Sequence, residues 1–178
     1  MDLSAIETFY VVALCFTPDR ERVVLLRKTH PTWQAGRFNG PGGKIEDGEM
    51  EEEALAREFL EETGMATLPS DWEVRLRVYG GSWNVAYGVL FRTPIVETRT
   101  DERVEVVAFA DKMALSLAWS PLCLPPDDKV ILLPDLCWIL PMMVDDNLAF
   151  PLEVSTRVRE PSTIPWQVRI SRAIGGAS

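Results

Sequence analysis

Histidine is close to missing from this sequence, with His30 as its one representative, and cysteine occurs only at Cys15, Cys123 and Cys137. Histidine-based triads and zinc centres therefore have too few side chains to draw on. The cysteines are odd in number, widely separated and set among apolar neighbours, which reads as small buried hydrophobes and not as a disulfide or metal framework. Positive charge is also short: 18 Lys and Arg stand against 27 Asp and Glu, a net charge of −9. That balance argues against a nucleic-acid polymer as partner, because neutralising phosphates takes clustered cations. No apolar run is long enough to cross a bilayer, and no N-terminal stretch has the basic start, apolar centre and cleavage site of a signal peptide. The default expectation is a cytoplasmic protein without a membrane partner. There is no internal repeat, low-complexity tract or linker, so the 178 residues are expected to form one domain with an ordered core over about 7–170.

What the sequence does have is an acidic helix fed by a glycine loop. Gly43 to Glu49 (GKIEDGE) turns into Met50 to Met65 (MEEEALAREFLEETGM). Asp47 offers a cap acceptor, Glu49 to Glu53 lie in or near the first turn where the helix dipole favours negative charge, and Gly64 is placed to stop the helix. Glu58, Glu61 and Glu62 stand at i, i+3 and i+4, which brings three carboxylates onto one face. Ala54, Leu55 and Phe59 form an apolar stripe on another side. A glutamate run is usually only a solvated helix surface. Three like charges with Arg57 alone to answer them are costly, however, unless a cation sits among them, and hard oxygen ligands suit Mg²⁺ or Mn²⁺. Metal ions held this way bind phosphate oxygens and acidify a water that attacks phosphorus, so the chemistry to expect is hydrolysis of a phosphoanhydride.

Along the chain, Glu7 to Phe16 and Arg22 to Arg27 are β-branched and aromatic runs around Thr17-Pro18-Asp19-Arg20, a hairpin of strands covered on both faces. A loop over Lys28 to Gly36 carries His30, which with Lys28 is placed to touch a phosphate. A short strand and turn, Arg37 to Gly42, leads into the glycine loop. Trp72 to Tyr79 and Val85 to Arg92 read as strands flanking Gly80-Gly81-Ser82. In the first, Trp72, Val74, Leu76 and Val78 alternate with polar residues, a half-buried pattern. A loop over Glu97 to Arg103 leads to a strand near Val104 to Phe109. A short helix is expected over Ala110 to Leu117. Another is expected from about Lys129, capped by Asp127-Asp128, and closing strands at Leu152 to Val158 and Trp166 to Ile170. Strands before, around and after a central helix fit an α+β fold, an α/β/α sandwich around a mixed β-sheet.

Gly43, Glu49, Arg57-Glu58-Phe59, Glu61-Glu62 and Gly64-Met65 keep, over 23 positions, the spacing of the Nudix box, and the chain resembles the Nudix hydrolase superfamily. The resemblance is strong over Gly43–Met65 and weaker from about Thr8 through the late helix. It implies the Nudix fold and cleavage of nucleoside diphosphates linked to another moiety with one to three Mg²⁺ or Mn²⁺ ions. On matching positions Glu58, Glu61 and Glu62 would be metal ligands with the Gly42 carbonyl, and Arg57 and Glu49 would orient them. The general base in such enzymes is a box glutamate or an acid from a later loop. Glu58 is one candidate here and Glu102 the other, with Glu105, Asp101 and Glu97 behind it. Lys44 and Arg37 are candidate phosphate contacts.

The run Phe38-Asn39-Gly40-Pro41-Gly42-Gly43 resembles the segment before the box in Nudix enzymes that clean oxidised purine triphosphates, where the asparagine bonds the base. Pro126-Asp127-Asp128 is similar to an aspartate pair that reads the purine edge, with Trp119 as a stacking partner. The tryptophan does not adjoin the aspartates here. Trp33, Trp83 and Tyr87 are alternative platforms or core. The expected activity is conversion of a purine nucleoside triphosphate such as 8-oxo-dGTP to monophosphate and pyrophosphate by a monomer or homodimer. Alternatives are hydrolysis of ADP-ribose or a nucleotide sugar, and a non-catalytic nucleotide-sensing module. ADP-ribose enzymes often add an N-terminal dimerisation region, whereas about seven residues precede the first strand here. Binding modules often lose box acids, all of which are present.

Overall fold

A computed structural model describes residues 8–80, 83–94, 103–108, 133, 135–157 and 167–172. Eight strands and two helices occur among them: β1 Thr8–Phe16, β2 Arg22–Arg27, β3 Phe38–Asn39, α1 Glu51–Thr63, β4 Glu73–Tyr79, β5 Trp83–Phe91, β6 Arg103–Ala108, α2 Leu136–Met143, β7 Leu152–Arg157 and β8 Gln167–Arg172. The sheet order is β3-β2-β1-β5-β4-β7-β8, and β6 pairs with β2. Two pairings, β1 with β5 and β4 with β7, are parallel and the others antiparallel, so the sheet is mixed. The expected helix over Ala110 to Leu117 and the start near Lys129 lie outside the described residues.

The unbroken apolar character of β1 follows from its central position. Val11, Ala13 and Cys15 pack beneath Ala54, Leu55 and Phe59 of α1. Val12, Leu14 and Phe16 face Leu136, Ile139, Leu140 and Met143 of α2. Each fully buried side chain of this size contributes about 2 kcal/mol of hydrophobic stabilisation, and the two helices on opposite faces complete the sandwich.

The alternation expected in β4 breaks. Its register against β5 shifts between Val74 and Leu76, a bulge. Trp72 and Val74 consequently pack on the α1 side while Leu76 and Val78 pack on the α2 side, because one extra residue reverses the faces of everything beyond it. Glu73 is exposed, but the two arginines are not left to solvent. Arg75 is buried, pairs with Glu73 at 2.8 Å and donates to the Met143 carbonyl at 2.6 Å. Arg77 pairs with Glu51 of α1 at 2.6 Å.

The β1–β2 hairpin closes normally at its turn, where Thr17 N–H donates to the Arg22 carbonyl at 2.9 Å and Phe16 lies opposite Val23. It then opens. β3 takes over the edge of β2, with Leu26 opposite Asn39. The chain that follows lies along β1: Ala13 N–H donates to the Pro41 carbonyl at 2.7 Å, Val11 N–H to that of Gly43 at 2.9 Å, and Ile45 N–H to that of Phe9 at 2.9 Å. The glycine loop is thus wedged between two hairpin strands. A Cβ on Gly42 would lie 2.1 Å from the Val11 carbonyl oxygen, so only glycine permits this approach.

Candidate functional site

The wedge delivers the glycine loop to one face of α1. Because the Pro41 and Gly43 carbonyls are bound to β1, strand geometry turns the N–H and C=O of Gly42 the other way. The Gly42 N–H donates to Glu62 Oε2 at 2.8 Å. Gly43 is needed for the neighbouring contact: a Cβ there would sit 2.2 Å from Glu58 Oε1, in the space the carboxylate occupies.

The helix begins at Glu51 and not at an Asp47 cap. Gly48, at φ 83°, turns the chain between Glu46 and Glu49, and Asp47 is left exposed at the tip of that turn. Met50 is the cap residue, and its N–H donates to Glu53 Oε2 at 2.9 Å. Gly64 ends the helix as expected, in the left-handed region, with its N–H on the Leu60 carbonyl.

Arg57 organises the acids. Nε and Nη2 grip the two oxygens of Glu49 at 2.8 Å each, Nη1 reaches Glu58 Oε1 at 2.8 Å, and Nη2 reaches the Lys44 carbonyl at 3.1 Å. These partners raise the Arg57 pKa, Glu49 foremost, while the guanidinium holds the Glu49 carboxyl below its ordinary value. Glu49 also accepts the Glu46 N–H at 3.0 Å, which ties the loop to the helix. Glu61 stands apart, 59% exposed, with Oε1 3.8 Å from Arg57 Nη1. A second cation joins Arg57: Lys28, expected with His30 at a phosphate, has its Nζ 3.8 Å from Glu62 Oε1, and both side chains are largely buried.

Among the described residues no three acidic, histidine or cysteine side chains close around one point in this arrangement. The chemistry of the donor set nevertheless fits a hard dication: Glu62 is held on the Gly42 N–H, Glu58 is held by Arg57 on the same helix, and Glu61 is an exposed carboxylate one residue from Glu62, all of them hard oxygen donors.

Asn39, on β3, accepts the Gly40 N–H with its Oδ1 at 2.9 Å, which leaves its amide NH₂ as the group to offer a ligand. Arg37 is half-buried and Lys44 exposed. Trp33 and Trp83 are exposed, but Tyr87 is buried in the α2-side core and is no surface platform. His30 is exposed in the loop after Lys28. Glu105 lies on β6 opposite Leu25. Glu97, Asp101, Glu102, Trp119, Asp127 and Asp128 lie outside the described residues.

Asp135 was not singled out from the sequence. The Leu133 N–H donates to the Phe38 carbonyl at 2.9 Å, which brings the start of α2 to the strand that carries Asn39. Asp135 follows two residues later. Although solvent reaches this residue, the protein around its carboxyl raises the pKa above the ordinary aspartate value, and its charge helps burial push the Tyr87 hydroxyl pKa upward. Its place in Pro134-Asp135, directly before an apolar helix, was the available signal.

With this geometry in hand, comparison with known proteins is specific. The sequence matches the family model of the NUDIX domain over residues 8–128. The oxidized purine nucleoside triphosphate hydrolase of Mus musculus is 42% identical over 57 residues, 32% of this chain and 35% of that protein, so the match spans about a third of that relative's length. Among solved structures, the MutT protein of Bacillus halodurans superposes with a TM-score of 0.62 at 19% identity, covering 92% of this chain and 97% of that one. The NUDIX domain of Shewanella oneidensis NrtR, complexed with ADP ribose, gives 0.51 at 21% identity, covering 61% and 77%. At such identities the likeness is one of fold.

Proposed function

This chain belongs to the NUDIX domain family, and from that premise we propose that it is a metal-dependent hydrolase of nucleoside diphosphate derivatives, acting on a purine nucleoside triphosphate, in particular an oxidised one, and releasing monophosphate and pyrophosphate. The observation that carries the reading is the contact of Glu62 with the Gly42 N–H at 2.8 Å, which draws the acidic helix face and the glycine loop to one place. The choice of substrate is supported by the 42% match to the mouse oxidized purine nucleoside triphosphate hydrolase.

Glu58, Glu61, Glu62 and the Gly42 carbonyl would hold Mg²⁺, or Mn²⁺ in its place. When bound, such an ion neutralises phosphate charge and lowers the pKa of a water. Arg57 and Glu49 keep Glu58 in position, a role whose loss costs about ten- to a hundredfold in activity. The proton of the attacking water passes to a carboxylate, with Glu58 and Glu102 as the two candidates, as the new P–O bond forms and the pyrophosphate oxygen leaves. Arg37 and Lys44 face the phosphates. The Asn39 amide and the Asp127 and Asp128 carboxylates bind the base edge and Trp119 stacks on the base, with the Asp135 carboxyl as a further candidate for that edge, because a carboxyl with a raised pKa is suited to exchanging hydrogen bonds with a purine.

The test is a panel of nucleotides incubated with protein and Mg²⁺, with products separated by chromatography. Conversion of 8-oxo-dGTP or another purine triphosphate to its monophosphate supports the reading. ADP-ribose turnover moves the protein to the nucleotide-sugar class, and tight binding without turnover makes it a sensing module. Glu61→Gln and Glu62→Gln are expected to fold normally and lose activity.

A further inference from the structure

The carboxylates of the site are not equally balanced by the protein's own cations. Arg57 serves Glu49 and Glu58, each at 2.8 Å, while Glu61 is exposed. Glu62 is different. Its Oε2 is engaged by the Gly42 N–H at 2.8 Å, and its Oε1 faces the Lys28 ammonium at 3.8 Å. Only 13% of the Lys28 side chain and 16% of the Glu62 side chain are exposed, so the pair is screened much less than a surface pair would be. Lys28 directly follows the last residue of β2. Its backbone is independently fixed, its N–H on the Arg37 carbonyl at 2.8 Å and its carbonyl accepting the Gly36 N–H at 2.8 Å. The ammonium therefore projects toward Glu62 from a braced position.

We propose that Lys28 is a built-in competitor for the dication at Glu62, a positioning residue that orients the carboxylate and sets how weakly the site holds metal. The proposal rests on the reading that Glu62 is a metal ligand. A dication approaching Glu62 meets a fixed positive charge within a few ångströms in a poorly solvated place, and that repulsion subtracts from its affinity. The ammonium also holds the Glu62 carboxylate in place on the Gly42 N–H, so the carboxylate need not reorganise when the ion arrives. The arrangement trades tight metal binding for a pre-formed ligand.

The experiment measures Mn²⁺ affinity by electron paramagnetic resonance at fixed ionic strength, on the full chain without nucleotide. In Lys28→Met or Lys28→Gln, which keep the backbone hydrogen bonds, Kd for Mn²⁺ is expected to fall by about three- to tenfold. Lys28→Arg is expected to retain the wild-type value, and Lys44→Met, which removes an exposed charge, to change it by less than half as much. Unchanged or weaker Mn²⁺ binding in both neutral Lys28 variants overturns the proposal and leaves the metal-dependent reading intact. An equal effect from Lys44→Met also overturns it, since the cause would then be general charge. A wild-type chain that binds no Mn²⁺ overturns this inference together with the assignment of Glu62.

Discussion

Replacing Gly43 with alanine separates the chemistry of the site from the stability of the fold. The added methyl would stand 2.2 Å from Glu58 Oε1 and 2.6 Å from its Cδ, whereas ordinary contact begins at 3.4 Å. The carboxylate must withdraw by about 1.2 Å, the difference between 3.4 and 2.2. Since the obstructed atoms end a flexible side chain, the backbone can stay in place and the loss of stability is expected to be about 1 kcal/mol. For a chain of this size that lowers Tm by about 2–4 °C. Misplacing a group by about an ångström next to the reacting atoms costs about a hundredfold in rate. Gly42→Ala provides the contrast. There the methyl meets the Val11 carbonyl oxygen at 2.1 Å, an atom of the central strand that cannot yield without prising the loop from β1. Its expected cost is about 3 kcal/mol, with Tm falling by roughly 6–12 °C. The assay is pyrophosphate release from the nucleotide turned over by the wild type, alongside calorimetric Tm. Wild-type kcat in Gly43→Ala, or a larger Tm loss there than in Gly42→Ala, would refute the close packing of Glu58 on the loop.

Further perturbations test the core and the electrostatics. Leu55 is fully buried and its Cδ1 fills the notch left by Gly88, where a Cβ would be 2.2 Å away; Leu55→Ala is expected to cost about 3 kcal/mol in urea unfolding, and a loss below about 1 kcal/mol would mean that α1 is not docked on β5. Glu49 has its folded-state pKa lowered by Arg57, so the stability it contributes is present above the unfolded value of about 4.3 and disappears as pH falls through the folded one. Acid unfolding of Arg57→Gln is accordingly expected to show a shallower loss of stability below about pH 4 than the wild type, and matching profiles would remove Arg57 as the cause. Arg57→Lys keeps the charge but loses the two-pronged grip on Glu49, and a drop in kcat of about tenfold or more is expected with little change in Tm. Asp135→Asn is expected to raise KM for a purine triphosphate more than for a pyrimidine one, and equal effects on both would remove Asp135 from the base edge.

How far the sequence could be read depended on the range of each signal. Glu58, Glu61 and Glu62 share a face because helical spacing alone places them there, and Gly64 ends the helix in a conformation glycine adopts without strain. The two-sided burial of β1 was visible for Val11 to Phe16, since an unbroken apolar run has no face to give to water, but Phe9 and Tyr10 at the start of the strand are exposed. The Asp47 cap was a misreading of equally local chemistry. Several acids compete near that turn, and Gly48 directs the chain so that Met50 and Glu53 close the helix.

Local sequence alone determined the acidic helix, the glycines before it and the strand-forming runs on either side, because spacing and side-chain type act within a turn or two. Tertiary structure decided what those parts met. The bulge in β4 turned Leu76 and Val78 to the face opposite Trp72, a consequence of pairing register. The opened hairpin carried Gly42 to Glu62, and it was the path of β2 that placed Lys28 beside that same carboxylate. The chain two residues before Asp135 was tied to β3 by a backbone hydrogen bond between Leu133 and Phe38. Such contacts depend on how strands are ordered and shifted against one another, and that is set by the packing of the whole sheet between its helices.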